Sequence, residues 1–344
     1  LIEDRGEAAV GEEFFRSRPF LDAEAVTHTL RIESADGELL APLITRPIGD
    51  GPERDAISPY GYPGLAPPPS GRTSARPPGS TTTAIVGPTP VPPSGRTSRR
   101  YAEGTTTAAV GGGLDPGAID FSATGLVSVF LRHRLDAVPL RGAGERNVVQ
   151  IADPALTPKS RPSDRRQVRR NLEAGYELAL VPGGETSAAQ RAGFLDLYEQ
   201  TMRRAGAAPR YFFAAAYFDR ALAAERTWLA LAAAPDGTLA AASLAAVSDG
   251  YLHYYLSGSA DSHLRDSPMK NVVSRLVEHA GELNLPLNLG GGIAPGDALE
   301  EFKRGFANRE QPWRTSEIVC DQEKYRLLSG DRVAGSFFPA YRAP

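Results

Sequence analysis

The sequence predicts an α/β (α+β) protein of two domains, the second half being the more regular. Three observations predict it. The chain has 344 residues, long for one domain and comfortable for two. Helical and strand periodicities alternate through the second half. The first half is interrupted by a stretch in which 23 of the 59 residues between Pro59 and Gly117 are Pro or Gly, a composition that favours a surface insertion over a core.

The first half opens with a predicted hairpin over 27–46. Thr27 to Ile32 alternates, Asp36-Gly37 turns, and Leu39 to Ile44 returns. The insertion follows and holds a repeat with a 24-residue offset: Pro68-Pro69-Ser70-Gly71-Arg72-Thr73-Ser74 recurs at Pro92 to Ser98, and Thr81 to Ala84 at Thr105 to Ala108. Two copies are too few for a solenoid. The expectation is a disordered or looped insertion over 66–115, either a duplicated loop or a Pro-rich partner-binding arm, and deletion of 68–111 is expected to leave a folded protein. Strands are predicted at Gly125–Leu131 and Asn147–Ile151. The domains are expected at 1–158, completed by 322–344, and at 159–321.

In the second half, Tyr176 to Val181 reads as a strand. Phe194, Leu197, Tyr198, Thr201 and Met202 have the spacing of a helix with one buried face. Trp228–Ala234 and Leu239–Val247 flank a Pro235-Asp236-Gly237-Thr238 turn, and Tyr251–Ser257 completes a three-strand meander. Ser267 is placed to cap a helix beginning at Pro268, which Asn284 and Pro286 stop. A short strand, Leu287–Leu289, ends in Gly290-Gly291-Gly292. A helix near 298–305 and a strand near 317–320 follow. Strand, helix, meander, helix, strand, helix, strand is the order of a GNAT-type acyltransferase domain, so the fold expected is two GNAT-like domains in tandem, the first degraded and carrying the insertion.

Composition excludes several classes. No run of 18 apolar residues occurs, so no membrane span is expected. Leu1-Ile2-Glu3-Asp4-Arg5 lacks the basic and apolar regions of a signal peptide, and a cytoplasmic location is expected. Cys320, the single cysteine, excludes an internal disulfide and a cysteine-based zinc site. The five histidines have no metal-ligand spacing, so no metal is expected. A net charge of −3 excludes a bulk polycation. Neither a Gly-x-Ser-x-Gly elbow nor a Walker loop is found.

The ordinary GNAT enzyme holds the pyrophosphate of acetyl-CoA on an Arg/Gln-x-x-Gly-x-Gly/Ala loop before the helix that follows the meander. The equivalent stretch here is Arg265-Asp266-Ser267-Pro268-Met269-Lys270. It has no glycine, Pro268 removes an N–H, and Asp266 adds charge where phosphate would lie. Arg203-Arg204-Ala205-Gly206-Ala207-Ala208 fits the motif by letters but lies at a helix C-terminus, where the dipole opposes an anion.

Other residues resemble a family. Arg169-Arg170-Asn171-Leu172-Glu173-Ala174-Gly175-Tyr176, Tyr254-Tyr255-Leu256-Ser257-Gly258-Ser259, the Ser267-Pro268 helix and Glu301-Phe302-Lys303-Arg304-Gly305-Phe306 are similar to the Fem family of aminoacyl-tRNA-dependent transferases. The similarity covers roughly 160–320 and thins over the first 150 residues, where Ser58 to Gly64 carries it. The resemblance implies two GNAT-like domains, an aminoacyl-tRNA as donor co-substrate, no other cofactor, and a small peptide or peptide-nucleotide acceptor. It also implies that Lys303, following Phe302, stabilises the tetrahedral intermediate. That chemistry needs a placed cation, because amine attack on an ester puts negative charge on the carbonyl oxygen. The plain alternative is a solvated helix lysine. Only four of the 38 basic residues are lysines, and a compact point charge is what such a site asks of a lysine rather than an arginine.

Arg165, Arg166, Arg169 and Arg170 share one helix face and offer phosphate contacts to a tRNA acceptor stem, or form a merely solvated face. Tyr60 and Tyr62, in a Gly-rich loop, are candidates to border the acceptor cleft. Tyr254, Tyr255 and Arg265, at the end of the meander, and Gly291, after the short strand, complete the candidate substrate-binding set, with turn or core roles as the alternatives. No general base is evident. The function expected is peptide-bond formation onto an amine of a peptide secondary metabolite, as in antibiotic biosynthesis, or of a cell-wall precursor. The alternatives are an acyl-CoA-dependent N-acyltransferase with a drifted cofactor loop, and a non-catalytic RNA-binding or scaffold protein.

Overall fold

β-Branched and leucine residues at alternate positions build the first sheet. In the computed structural model, which describes residues 11–34, 37–68, 82–87, 113–332 and 337–343, β1 (His28–Ser34) and β2 (Gly37–Pro47) form the expected antiparallel hairpin, with Leu30 opposite Ala41 and Ile32 opposite Leu39. The chain divides into two units, one made of the described residues of Glu24–Glu145 and Arg314–Pro344, the other of Glu12–Ala23 and Arg146–Trp313.

The first unit adds β3 (Arg54–Ile57), β4 (Thr82–Gly87), β5 (Ile119–Asp120) and β6 (Ser128–Arg132) in the order β5-β4-β1-β2-β3-β6. β6 then takes residues 315–319 of β13 (Arg309–Val319) as an antiparallel neighbour. Leu30, Ile32, Leu43, Val129 and Leu131 are the buried centre of this sheet. Its only α-helix among the described residues is α7 (Gln322–Ser329). One expectation needs correction. The 66–115 span is not one continuous loop, because β4 lies inside it and pairs antiparallel with β1 from Thr83 to Gly87. Deleting 68–111 therefore removes a strand. The Thr-Thr-Thr-Ala copy at 81–84 runs into that strand, its β-branched residues suiting a ladder; the copy at 105–108 lies outside the described residues.

A buried carboxylate fixes the end of the chain to this unit. Asp55, on β3, is fully buried and accepts bonds from Arg46 Nε at 2.8 Å, Arg342 Nε at 2.5 Å and Tyr341 Oη at 3.1 Å. The same tyrosine hydroxyl lies 2.7 Å from Ser128 Oγ.

In the second unit the described elements are α1 (Arg18–Ala23), β7 (Gly144–Ala152), α2 (Pro162–Glu173), β8 (Glu177–Pro182), α3 (Ala188–Arg204), α4 (Ala215–Leu222), β9 (Thr227–Ala233), β10 (Leu239–Ser248), β11 (Tyr251–Ser259), α5 (Met269–Leu283), β12 (Leu287–Gly290) and α6 (Ala298–Arg304). The sheet runs β7-β12-β11-β10-β9-β8, antiparallel through the β8–β11 meander. Val272, Val273, Leu276 and Ala280 of α5 pack on one face against the alanine-rich interiors of β9 and β10. On the other, α3 packs against β11 so closely that a Cβ on Gly258 would run into the Leu197 backbone. α3 starts with a capping box, Ser187 and Gln190 bonding each other's backbone N–H.

Two features of this unit shape the site. β11 and β12 are parallel partners only at Leu252–Leu287 and His253–Asn288. And β11 bulges at Tyr255, since Leu256 pairs with Leu244 but Tyr254 pairs with Ala245. The start of α5 differs from expectation: Ser267 takes φ +49° and its hydroxyl donates to Leu264 O, leaving Pro268 as N-cap. A 3-10 helix, Asp261–Asp266, leads in, and its closing left-handed residue turns the chain one position later.

Candidate active site

The site is assembled around the end of β12. Asp297 caps α6, accepting Glu300 N–H on Oδ1 at 2.7 Å and the N–H groups of Ile293 and Ala294 on Oδ2 at 2.6 and 3.0 Å. These backbone donors, Ala294 and Glu300 foremost, hold its carboxyl below the usual range. Glu300 Oε2 in turn accepts Gly296 N–H at 2.8 Å. The loop is drawn tight from the other side by Asn147 of β7, whose Nδ2 donates to Gly292 O at 2.8 Å. A Cβ on Gly291 would run into the Asn147 amide that holds the loop, and one on Gly292 into Asp297 and the Ala294 carbonyl.

Lys303 sits beneath this loop. Its Nζ donates to Gly291 O at 2.6 Å, the residue is 8% exposed, and among the described residues it has no ion pair. Glu300 and Glu301, on the same helix, are taken by Arg304, which also reaches Glu310 at 3.2 Å. Burial pushes the Lys303 pKa down to about 8, Asp297 offsetting part of the shift. The ammonium has one carbonyl partner and two further N–H donors. It is not a solvated helix lysine. Phe302, one position earlier, points into the apolar side: its ring meets Phe306 edge-on at 5.7 Å, packed on the α5 core.

The remaining candidates do not all converge. Tyr254 and Tyr255 lie on opposite faces. Tyr254 joins the α5 core and donates to Ser257 Oγ at 2.6 Å, with burial raising its pKa to about 12. Tyr255 stacks edge-on with Phe14 and Phe15, and its hydroxyl lies 2.7 Å from Tyr217 Oη. Arg265 is exposed on the 3-10 helix. Tyr60 and Tyr62 belong to the first unit, Tyr60 exposed with its N–H donated to Glu24 at 2.9 Å, Tyr62 half-buried. All four arginines of α2 are exposed: Arg165 donates to Ser160, and Arg169 lies 3.9 Å from Glu173.

The start of α5 is tied to α2 by the chain's own side chains. Asp164 of α2 sits 2.9 Å from Lys270. Asn171 Nδ2 donates to Asp266 O at 2.8 Å and to Asn271 Oδ1 at 2.7 Å. The first amides of α5 turn back onto Ser267 O and Pro268 O. Sequence reasoning missed Asn147, Asp164, Asn171 and Asp297. Only Asp297 had a local signal, the Asp-x-x-Glu pattern of a helix start; Asn147 bonds 145 positions away, which no local pattern reports. Among the described residues, no group of three or more His, Cys, Asp or Glu could hold a metal, and no helix is long and apolar enough to cross a membrane.

Residues 158–304 match the family described as acetyltransferase (GNAT) domain. The fold is GNAT-like. Among solved structures, FemX is 10% identical with TM-score 0.50, over 85% of this chain and 86% of that one. L-PGS from Bacillus licheniformis is 10% identical with TM-score 0.50, over 93% and 95%. The C-terminal (DUF2156) domain of an Agrobacterium fabrum protein is 14% identical with TM-score 0.40; the match covers 54% of this chain and spans 63% of that one. No curated protein sequence matches the chain. The expected α+β GNAT-like fold is thus found, with the acetyltransferase-domain match confined to residues 158–304.

Proposed function

We propose that this GNAT-like protein is an aminoacyl-tRNA-dependent aminoacyltransferase that joins the aminoacyl group to an amine of a peptide, either a peptide secondary metabolite or a cell-wall precursor. One observation supports the reading: a buried Lys303 held by a loop carbonyl with no ion pair among the described residues. The acceptor nitrogen bonds to the ester carbon, and the charge that develops on the carbonyl oxygen is met by the Lys303 ammonium. As the intermediate collapses, the ester C–O bond breaks. The departing ribose oxygen takes up a proton, and the amine gives one to water. Gly291 O and the Asp297-capped loop act as positioning groups that aim Nζ. The exposed arginines of α2 are assigned to tRNA phosphates.

Two measurements test this. Incubated with candidate amines, the protein is expected to give product by mass spectrometry with charged tRNA and none with acetyl-CoA. Micromolar acetyl-CoA binding by calorimetry, together with turnover, would instead favour the second reading, an acyl-CoA-dependent N-acyltransferase, which the acetyltransferase domain match supports. Replacing Arg166, Arg169 and Arg170 with alanine is expected to weaken tRNA binding and flatten its salt dependence, by a slope of about 0.7–0.9 for each phosphate that is no longer neutralised. Small-acceptor binding is expected to survive. An unchanged slope would assign these side chains to solvent.

A further inference from the structure

Away from the Lys303 loop, a cavity of about 440 Å³ opens between α2, α5 and the segment after β7. Its apolar lining is Val168 and Leu172 from α2, Val277 from α5, and Phe306. Leu172 is 47% exposed at its mouth, an apolar side chain on an otherwise basic helix. None of residues 290–303 lines the cavity, so an occupant there is separate from the ammonium site.

The mouth is cationic. Lys159, Arg165 and Arg169 line it, and all three are exposed. Two carboxylates also line the cavity: Asp153 lies 3.4 Å from Arg309, and Glu278, exposed to solvent, has a loose 3.8 Å contact to Arg275, whose nearer partner is Glu282 at 2.9 Å. Arg165 is held by Ser160 at its hydroxyl, while Arg169 has only a loose 3.9 Å contact to Glu173. An apolar hollow of small-ligand size under three basic side chains complements a molecule with an apolar chain at one end and a compact anion at the other.

The geometry points to a binding site for a single-chain amphiphilic anion, an alkyl or acyl chain ending in a phosphate, with the chain against Val168, Leu172 and Val277 and the phosphate between Arg165, Arg169 and Lys159. A dianionic headgroup matches several cations better than a carboxylate does. This inference does not rest on the tRNA reading, and its readout is binding rather than turnover.

The test is calorimetry of the full chain with hexyl, octyl and decyl phosphate below their micelle concentrations, with inorganic phosphate and decanol as controls. Affinity is expected to rise about fourfold per added methylene until the cavity is filled. Arg165→Ala with Arg169→Ala is expected to weaken all the alkyl phosphates at least tenfold. Val277→Trp, which fills the hollow, is expected to flatten the chain-length series without changing tRNA affinity; Leu172→Gln, at the exposed mouth, serves the same purpose if the tryptophan disturbs folding. Inorganic phosphate binding as well as decyl phosphate would show an arginine patch alone and overturn the proposal. Decanol binding as well as decyl phosphate, or no binding in the series, would overturn it equally.

Discussion

Lys303→Met is expected to lower kcat by about 10²–10³-fold while leaving the acceptor KM nearly unchanged, because the charge acts on the oxyanion and not on the bound ground state. The same variant is expected to be more stable than the parent protein. Burial has lowered the Lys303 pKa from 10.5 to about 8, so folding disfavours its charged form. That cost is fully present below pH 8 and is relieved as pH climbs from 8 toward 10.5, where the unfolded chain binds the extra proton. Parent stability should therefore gain on the methionine variant across that window. Activity, which needs the ammonium, should fall through the same window. Lys303→Arg should rescue poorly, since a planar fork cannot take the place of a point charge beneath the Gly291 carbonyl. Steady-state kinetics with saturating donor and urea titrations at pH 7 and 9.5 check both halves. A raised KM with intact kcat, and an arginine that substitutes well, would sink the oxyanion role.

Asp55→Ala is expected to cost about 3 kcal/mol within the first unit, the low end of the range for breaking a buried ion pair. The low end applies because the stranded side chains of Arg46 and Arg342 are 31% and 28% exposed and can take water. Hydrogen exchange of β3 and β6 amides is the readout, since a fluorescence signal from Trp228 and Trp313 would report only the other unit. Protection there should fall by about 150-fold, the factor equivalent to 3 kcal/mol. A fall of less than tenfold would show that the last residues are held by packing alone.

Local signals carried far in this chain and then stopped. The meander was legible because alternation, tight turns and two alanine-rich strands are all short-range patterns. The α5 start was read one residue early, because a 3-10 helix ahead of it left no trace in side-chain periodicity. β4 was hidden by its Pro- and Gly-rich surroundings, although Thr82 to Val86 is itself a run of strand formers; composition averaged over a long stretch outweighed six residues. At the site, Lys303 stood out by its rarity among arginines. What buries it did not stand out, because Asn147 reaches its loop across 145 positions of the chain. Tyr254 and Tyr255 are grouped in the sequence by their place in the meander, whereas the structure sets them on opposite faces of β11.

The segment from Arg314 onward, with its 287-residue link from Asp55 to Arg342, sets an order of events during synthesis. Domains usually finish folding as they leave the ribosome, the N-terminal one first. Here the second unit has all its residues once Trp313 has emerged. The first unit then still lacks the strand that flanks β6 and the arginine that neutralises a buried aspartate, so β6 waits with an open edge. An open strand edge is a surface on which chains aggregate, and the residues from Arg314 onward close this one.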